Sequence, residues 1–118
     1  MHNFKELIVW QKARKLVKNI YIILKDFPDH EKFGIISQIR RASISIPANI
    51  AEGAGRNTDN DFGRFLDIAN GSSFELETLL ILSVDLDYLS ESSYLIILNE
   101  IEEIQKMIYG LRNKMKVS

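Results

Sequence analysis

The strongest constraint on this chain lies in its last quarter. Tyr94, Ile97, Ile101, Ile104, Ile108, Leu111 and Met115 recur at steps of three and four without a break. That spacing keeps all seven on one stripe of an α-helix, and a helix with one apolar stripe must bury it against other elements. Three more segments repeat the pattern. About residues 6–27 carry Leu7, Trp10, Ala13, Val17, Ile20, Leu24 and Phe27 on one stripe. About 30–54 carry Ile36, Ile39, Ser43, Ile46 and Ile50. About 59–89 carry Phe62, Phe65, Leu66, Ala69, Ser73, Leu76, Leu80 and Ser83, and the last helix spans about 91–115. No alternating strand pattern competes. Four long helices with short connections predict an all-α, antiparallel up-down-up-down four-helix bundle, with residues 1–118 as a single domain.

The punctuation agrees with these boundaries. Pro28 ends the first helix, and Asp29 is the expected N-cap of the second. In "GAGRNTDND" a glycine stop precedes Asn57 or Thr58 as a cap, with Asp59 and Asp61 favourable in the first turn of the third helix. Ser90 is the cap expected for the fourth. In "ANGSS" (69–73) Gly71 interrupts a helix at an intrinsic cost of up to ~1 kcal/mol. A close helix–helix approach at Gly71 is the expected compensation.

The second helix contains "RASISIPANIAEGAG" (41–55). Pro47 removes a backbone donor and crowds the Ser43 carbonyl, so it kinks the helix or divides it, a packing kink being the expected form, with Ser43 and Ser45 placed to satisfy freed backbone groups. The face opposite the isoleucine stripe holds Ile44, Ala48 and Ala51, framed by Arg41 and Glu52, where a solvated helix would show lysine and glutamate. A helix apolar or small on both sides is usually buried on both. These five residues are therefore the candidate oligomer interface. Ile22, Ile81, Leu82 and Ile96 add apolar surface away from the core stripes.

Net charge is −1, but it is unevenly distributed. Residues 1–64 hold 11 Lys/Arg and 7 Asp/Glu; residues 65–105 hold 9 acids and no Lys or Arg; residues 106–118 hold 4 basic residues and no acid. In an up-down-up-down bundle the start of helix one, the turn between helices two and three, and the end of helix four share one end. That end gathers Lys5 together with the candidate nucleic-acid-binding residues Lys12, Arg14, Lys15, Arg56, Arg64, Arg112, Lys114 and Lys116. Asp26, Asp29, Glu31, Asp85, Asp87 and Glu91 gather at the other. Helix C-termini attract cations anyway, which accounts for Arg112 and Lys114 but not for the cations of helix one. A cyclic assembly would repeat the basic end around one face of a ring and so attract anions.

The residues offer little to catalysis. With no cysteine there is no disulfide, thiol nucleophile or thiolate metal site. His2 and His30 both lie at or before helix starts, outside any inward Glu-x-x-His pair that a di-iron bundle needs. "EGAGRNTDND" lacks the preceding strand and the lysine of a phosphate-binding loop. Glu75 and Glu77 have no partner base and are expected in ion pairs; Trp10 is expected in the core. No enzyme, metal or cofactor is therefore expected. No stretch reaches the ~18 apolar residues of a membrane span, and the N-terminus lacks the apolar run of a signal sequence, so a cytoplasmic protein without membrane partners is expected.

"VWQKARKLVKNIY", "FGIISQIRRASISIPANIAEGAGR" and "FLDIANGSSFELETLL" together resemble the 23S rRNA intervening-sequence protein family of small bacterial helical bundles. The likeness covers nearly the whole chain and is strongest over about residues 4–90. It implies a four-helix-bundle protomer in a homopentamer, with no established catalytic residue to carry over. Reading frames of the family occur within insertions in large-subunit rRNA genes and elsewhere. A related branch, the accessory protein of diversity-generating retroelements, binds nucleic acid and a reverse transcriptase through a basic pentamer surface. This chain departs from that branch in its pI of about 6.1. Two functions remain open: a pentameric module binding structured RNA or other nucleic acid through its basic end, or a protein–protein scaffold that binds no nucleic acid.

Overall fold

The computed structural model describes residues 2–115. A single 3-10 turn at Phe4–Glu6 leads into α1 (Ile8–Leu24), and a second at Asp29–Glu31 precedes α2 (Ile35–Ala54). Helices α3 (Asp59–Asp85) and α4 (Glu91–Asn113) complete the chain, and no strand occurs among the described residues. Each helix packs on its two neighbours in the order α1, α2, α3, α4 and back to α1, with α2 and α3 the most extensive pair. The Cα envelope measures 46 × 24 × 23 Å. Its long dimension suits the 27-residue α3, which at 1.5 Å per residue extends about 40 Å.

Contacts across the helices establish the antiparallel order. His2 N donates to Ala54 O at 2.7 Å, whereas Arg40 lies 5.4 Å from the centre of the Tyr21 ring. Ser45 Oγ lies 2.8 Å from Ser72 Oγ, while Gly53 meets Phe62 and Phe65. Gln105 reaches Ser73 and Glu77, and Arg112 reaches Asp67. Lys12 pairs with Glu103 and Asn19 with Glu100. In every pair, numbers rising along one helix meet numbers falling along the next.

The core follows the predicted stripes closely in α2, α3 and α4. Ile36, Ile39, Ser43, Ile46 and Ile50 are buried, as are all eight inward residues expected of α3. Ile97, Ile101, Ile104 and Ile108 are each at most 3% exposed, with Tyr94 and Leu111 half-buried against them. The three buried serines would each penalise folding if left unpaired. Instead, each hydroxyl donates to a carbonyl of its own helix: Ser43 to Arg40, Ser73 to Asn70 and Ser83 to Leu79.

Several local expectations are corrected. In α1 the buried set is Val9, Ala13, Leu16, Ile20 and Leu24. Trp10 and Leu7 are only partly buried, Trp10 standing edge-on to Phe4 at 5.0 Å. Asp29 does not cap the second helix; it sits in the 3-10 turn after Pro28, and α2 starts at Ile35 with Gly34 before it and no side-chain cap. Thr58 and Ser90 do cap, accepting from the N–H groups of Asp61 and Ser93 at 3.1 Å each. Pro47 does not divide α2, which runs through it as one helix. The Ser43 hydroxyl bonds Arg40 O; Ser45 accepts from Asn49 Nδ2 and faces Ser72. The two serines thus serve the helix and the α2–α3 contact, not the carbonyl left open by Pro47.

Gly71 is also not where helices approach: a Cβ there would meet nothing within 4 Å. The tight position is Gly53, where a Cβ would lie 2.8 Å from both Phe62 Cδ1 and Phe65 Cβ. Gly53, Ser45 and Ser72 let α2 and α3 lie close together, and Gly71 is left as an exposed interruption.

At the far end α3 finishes in a left-handed residue, Asp87 at φ 62°. Asp87 N donates to Val84 O at 3.0 Å and Tyr88 N to Ser83 O at 2.9 Å, the hydrogen-bond pair of a Schellman cap. The Tyr88 hydroxyl then donates to Glu31 Oε2 at 2.9 Å, clasping the α3–α4 turn to the α1–α2 turn. That hydrogen bond raises the phenol pKa above its ordinary value. Since an Asp side chain is strained at positive φ and glycine is not, Asp87→Gly is expected to raise stability by about 0.5–1 kcal/mol, read as the midpoint of urea unfolding. A decrease would contradict the capping role.

Candidate nucleic-acid interface

The N-terminal turn, the end of α2, the start of α3 and the end of α4 meet at one end of the bundle. The His2–Ala54 hydrogen bond and the His2–Phe62 ring contact (5.1 Å) bind the chain start to the α2–α3 corner. Within that corner, Phe65 is the organising side chain. Its ring is 8% exposed, with the guanidinium of Arg56 4.6 Å from its centre and that of Arg64 5.3 Å away. Two of the candidate cations are therefore held together on one aromatic support. Arg112 joins them from α4. It passes so close over Gly63 that a Cβ there would lie 2.7 Å from Arg112 Nη1, and its Nε donates to Asp67 Oδ1 at 3.0 Å.

The other cations are spread more widely. Lys12 and Lys15 line a groove of about 310 Å³ between α1 and α4 with Asn19, Glu100 and Glu103. Lys12 is ion-paired with Glu103 at 2.7 Å. The expected partition of Lys12 and Lys15 to the end of the bundle is therefore corrected: they lie on its flank, beside acids of α4. Arg14 stands over the Trp10 ring at 5.7 Å, on the same helix. Lys114 and Glu6 border a more apolar groove of about 430 Å³ lined by Leu7, Ile8, Val9, Met107 and Leu111. Lys116 lies outside the described residues.

Three of the candidates share their charge with acids: Lys12 with Glu103, Arg64 with Asp61 (3.6 Å) and Arg112 with Asp67. Among the described residues Lys5, Arg14, Lys15, Arg56 and Lys114 form no ion pair. Glu75 and Glu77 form none either, contrary to expectation; Glu77 accepts instead from Gln105 Nε2 at 3.2 Å.

The interface predicted on α2 points outward. Ile44 is 44% exposed, Arg41, Ala48 and Glu52 are exposed, and Ala51 is half-buried. Ile22, Ile81, Leu82 and Ile96 are likewise exposed, between 43% and 67%. Beside Ile44 a groove of about 550 Å³ runs between α2 and α3, with Arg41 and Glu75 on its walls. Among the described residues no helix is long and apolar enough to cross a membrane.

Sequence reasoning missed the roles of Phe65 and Gly63. "FGRF" (62–65) places Gly63 beside Arg64 and between two aromatics, but the partner of Gly63 comes from the far end of the chain.

The fold and the outward-facing residues define a small helical-bundle module with a mixed-charge end and an exposed apolar face. Residues 5–110 match the family described as 23S rRNA-intervening sequence protein, and the chain belongs to that family. Among solved structures it is similar to a protein of unknown function from the S23 ribosomal protein family of Bacteroides thetaiotaomicron. The two are 28% identical with a TM-score of 0.81, over 91% of this chain and 100% of the other. A search of curated proteins found no match.

Proposed function

We propose that the chain is a non-catalytic module of the bacterial cytoplasm that assembles with copies of itself and binds structured RNA or other nucleic acid at its basic end. The observation that carries the nucleic-acid reading is the pair of guanidiniums, Arg56 and Arg64, over Phe65. Among the described residues Arg56 has no acidic partner, and Lys5, Arg14, Lys15 and Lys114 add charge that no carboxylate there neutralises. Such side chains contact phosphates and do not read bases, so binding would be steered by charge and largely indifferent to sequence. Assembly is supported by the outward Ile44–Ala48–Ala51 face of α2, and the family resemblance suggests five copies. Repetition around a ring would multiply a patch that is modest in one protomer. No cofactor or metal enters this reading.

The second reading is a protein–protein scaffold. It is favoured by the pairing of Lys12, Arg64 and Arg112 with acids, which lowers the field available to phosphates.

A gel shift with a structured RNA at about 50 mM salt separates the two. Arg56→Glu/Arg64→Glu is expected to weaken binding about tenfold or more, because two phosphate contacts are lost and two charges are reversed. Both side chains are exposed, so the helical circular dichroism spectrum should not change. Equal retardation of variant and wild type would move the interface elsewhere, and no retardation of either would favour the scaffold.

A further inference from the structure

The face between α3 and α4 carries a site that the basic end does not use. A groove of about 290 Å³ is lined by Asn70, Phe74, Glu102, Gln105, Lys106 and Tyr109. Its two aromatic walls are unusually bare: Phe74 is 53% exposed and Tyr109 67%. The polar groups there are mostly acceptors. Asn70 Oδ1 is buried without a hydrogen-bond partner beneath this face. Gln105 spends its amide nitrogen on Ser73 Oγ and Glu77 Oε1, both at 3.2 Å. The Glu102 carboxylate forms no ion pair among the described residues. Glu77 and Glu102 make the local field negative enough to act on a neighbour. Burial first, and then those two carboxylates, hold the Tyr94 phenol above its ordinary pKa. Lys106, on the rim, is the one opposing cation lining the groove.

We propose that this groove binds an arginine side chain presented by a basic peptide segment of another protein. A guanidinium is planar, stacks on aromatic faces and carries five donors with no acceptor. It therefore matches two exposed rings beside the unpaired Glu102 carboxylate. An ammonium would find the carboxylate but gain less from the rings. A nucleobase could stack equally well on the rings, but its phosphates would face Glu102. The site lies on a different face from the α2 interface and does not depend on nucleic-acid binding.

The test is fluorescence anisotropy of a labelled, end-blocked (Gly-Arg)4 peptide with the full chain at about 50 mM salt. Controls are (Gly-Lys)4 and a uridine oligonucleotide. The arginine peptide is expected to bind more tightly than the lysine peptide and to weaken as salt rises. Phe74→Ala and Tyr109→Ala remove no charge and alter only exposed side chains, so general acidity and folding are unaffected. Each is expected to weaken the arginine peptide by about 3–30-fold, the range of a cation–π contact. Glu102→Gln is expected to weaken it too. Unchanged affinity in Phe74→Ala would overturn the proposal, because the peptide would then be sensing only net acidity. Loss of oligonucleotide binding instead of peptide binding in that variant would also overturn it. So would a change in assembly mass, which would mean that a second copy of this chain occupies the groove.

Discussion

Ile44→Glu is expected to reduce the proposed assembly to a particle of 13.6 kDa while leaving the helical signal of the protomer intact. The side chain is 44% exposed and is absent from the core cluster, so a carboxylate there costs the isolated bundle little. In an interface between copies the same carboxylate would be buried without a partner. An uncompensated buried charge of that kind costs about 3–5 kcal/mol. At about 1.4 kcal/mol per tenfold, each contact would weaken by roughly two to three and a half orders of magnitude. Light scattering at micromolar concentration reads the result directly. A wild-type mass of one protomer would remove the interface altogether, and an unchanged multimer in the variant would place it on another face.

The second large effect lies in the core. Ile101 is fully buried at the centre of the α4 stripe, within the same cluster as Ile20, Ile46 and Leu76. Ile101→Ala removes that burial and leaves a cavity that four stiff helices cannot collapse to fill, at a cost of about 2–5 kcal/mol. In thermal unfolding this corresponds to roughly 10–20 °C. The two substitutions are complementary: Ile44→Glu should change mass with little change in protomer stability, and Ile101→Ala the reverse. A loss below about 1 kcal/mol for Ile101→Ala would mean that α4 does not seat its stripe as described.

The pattern of α4 was legible because a helix packed between two neighbours along a single stripe leaves one unambiguous 3-4 series. The same holds for α2 and α3, where even the serines of the stripe, Ser43, Ser73 and Ser83, are buried. Helix α1 is harder to read because it offers two overlapping apolar stripes, one through Trp10 and Val17 and the other through Val9 and Leu16. The choice between them depends on where α4 lies, which no local period encodes. Gly71 misled for a related reason: glycine in mid-helix signals missing side-chain bulk, but not whether a partner helix fills the space. The space is filled at Gly53 and open at Gly71.

At the basic end, periodicity and topology brought Arg56, Arg64 and Arg112 to one corner, as the chain order requires. Long-range pairing was invisible. Lys12 and Glu103 are far apart in sequence, and nothing local to "VWQKARK" indicates that an acid of α4 stands opposite. The same blindness applies to Arg112, whose path over Gly63 depends on the register of α3 against α4.

The nucleic-acid reading is tested most directly by the salt dependence of RNA binding by the unaltered protein. Retention of a structured RNA measured across about 50–300 mM salt should give a straight line of log affinity against log salt. Its slope should correspond to several released counterions, each phosphate contact contributing about −0.7 to −0.9. A steep negative slope that becomes shallower in Arg56→Glu/Arg64→Glu is the predicted result. Absence of binding at about 50 mM salt, or an affinity that salt does not change, would contradict the nucleic-acid function and leave the protein–protein scaffold in its place.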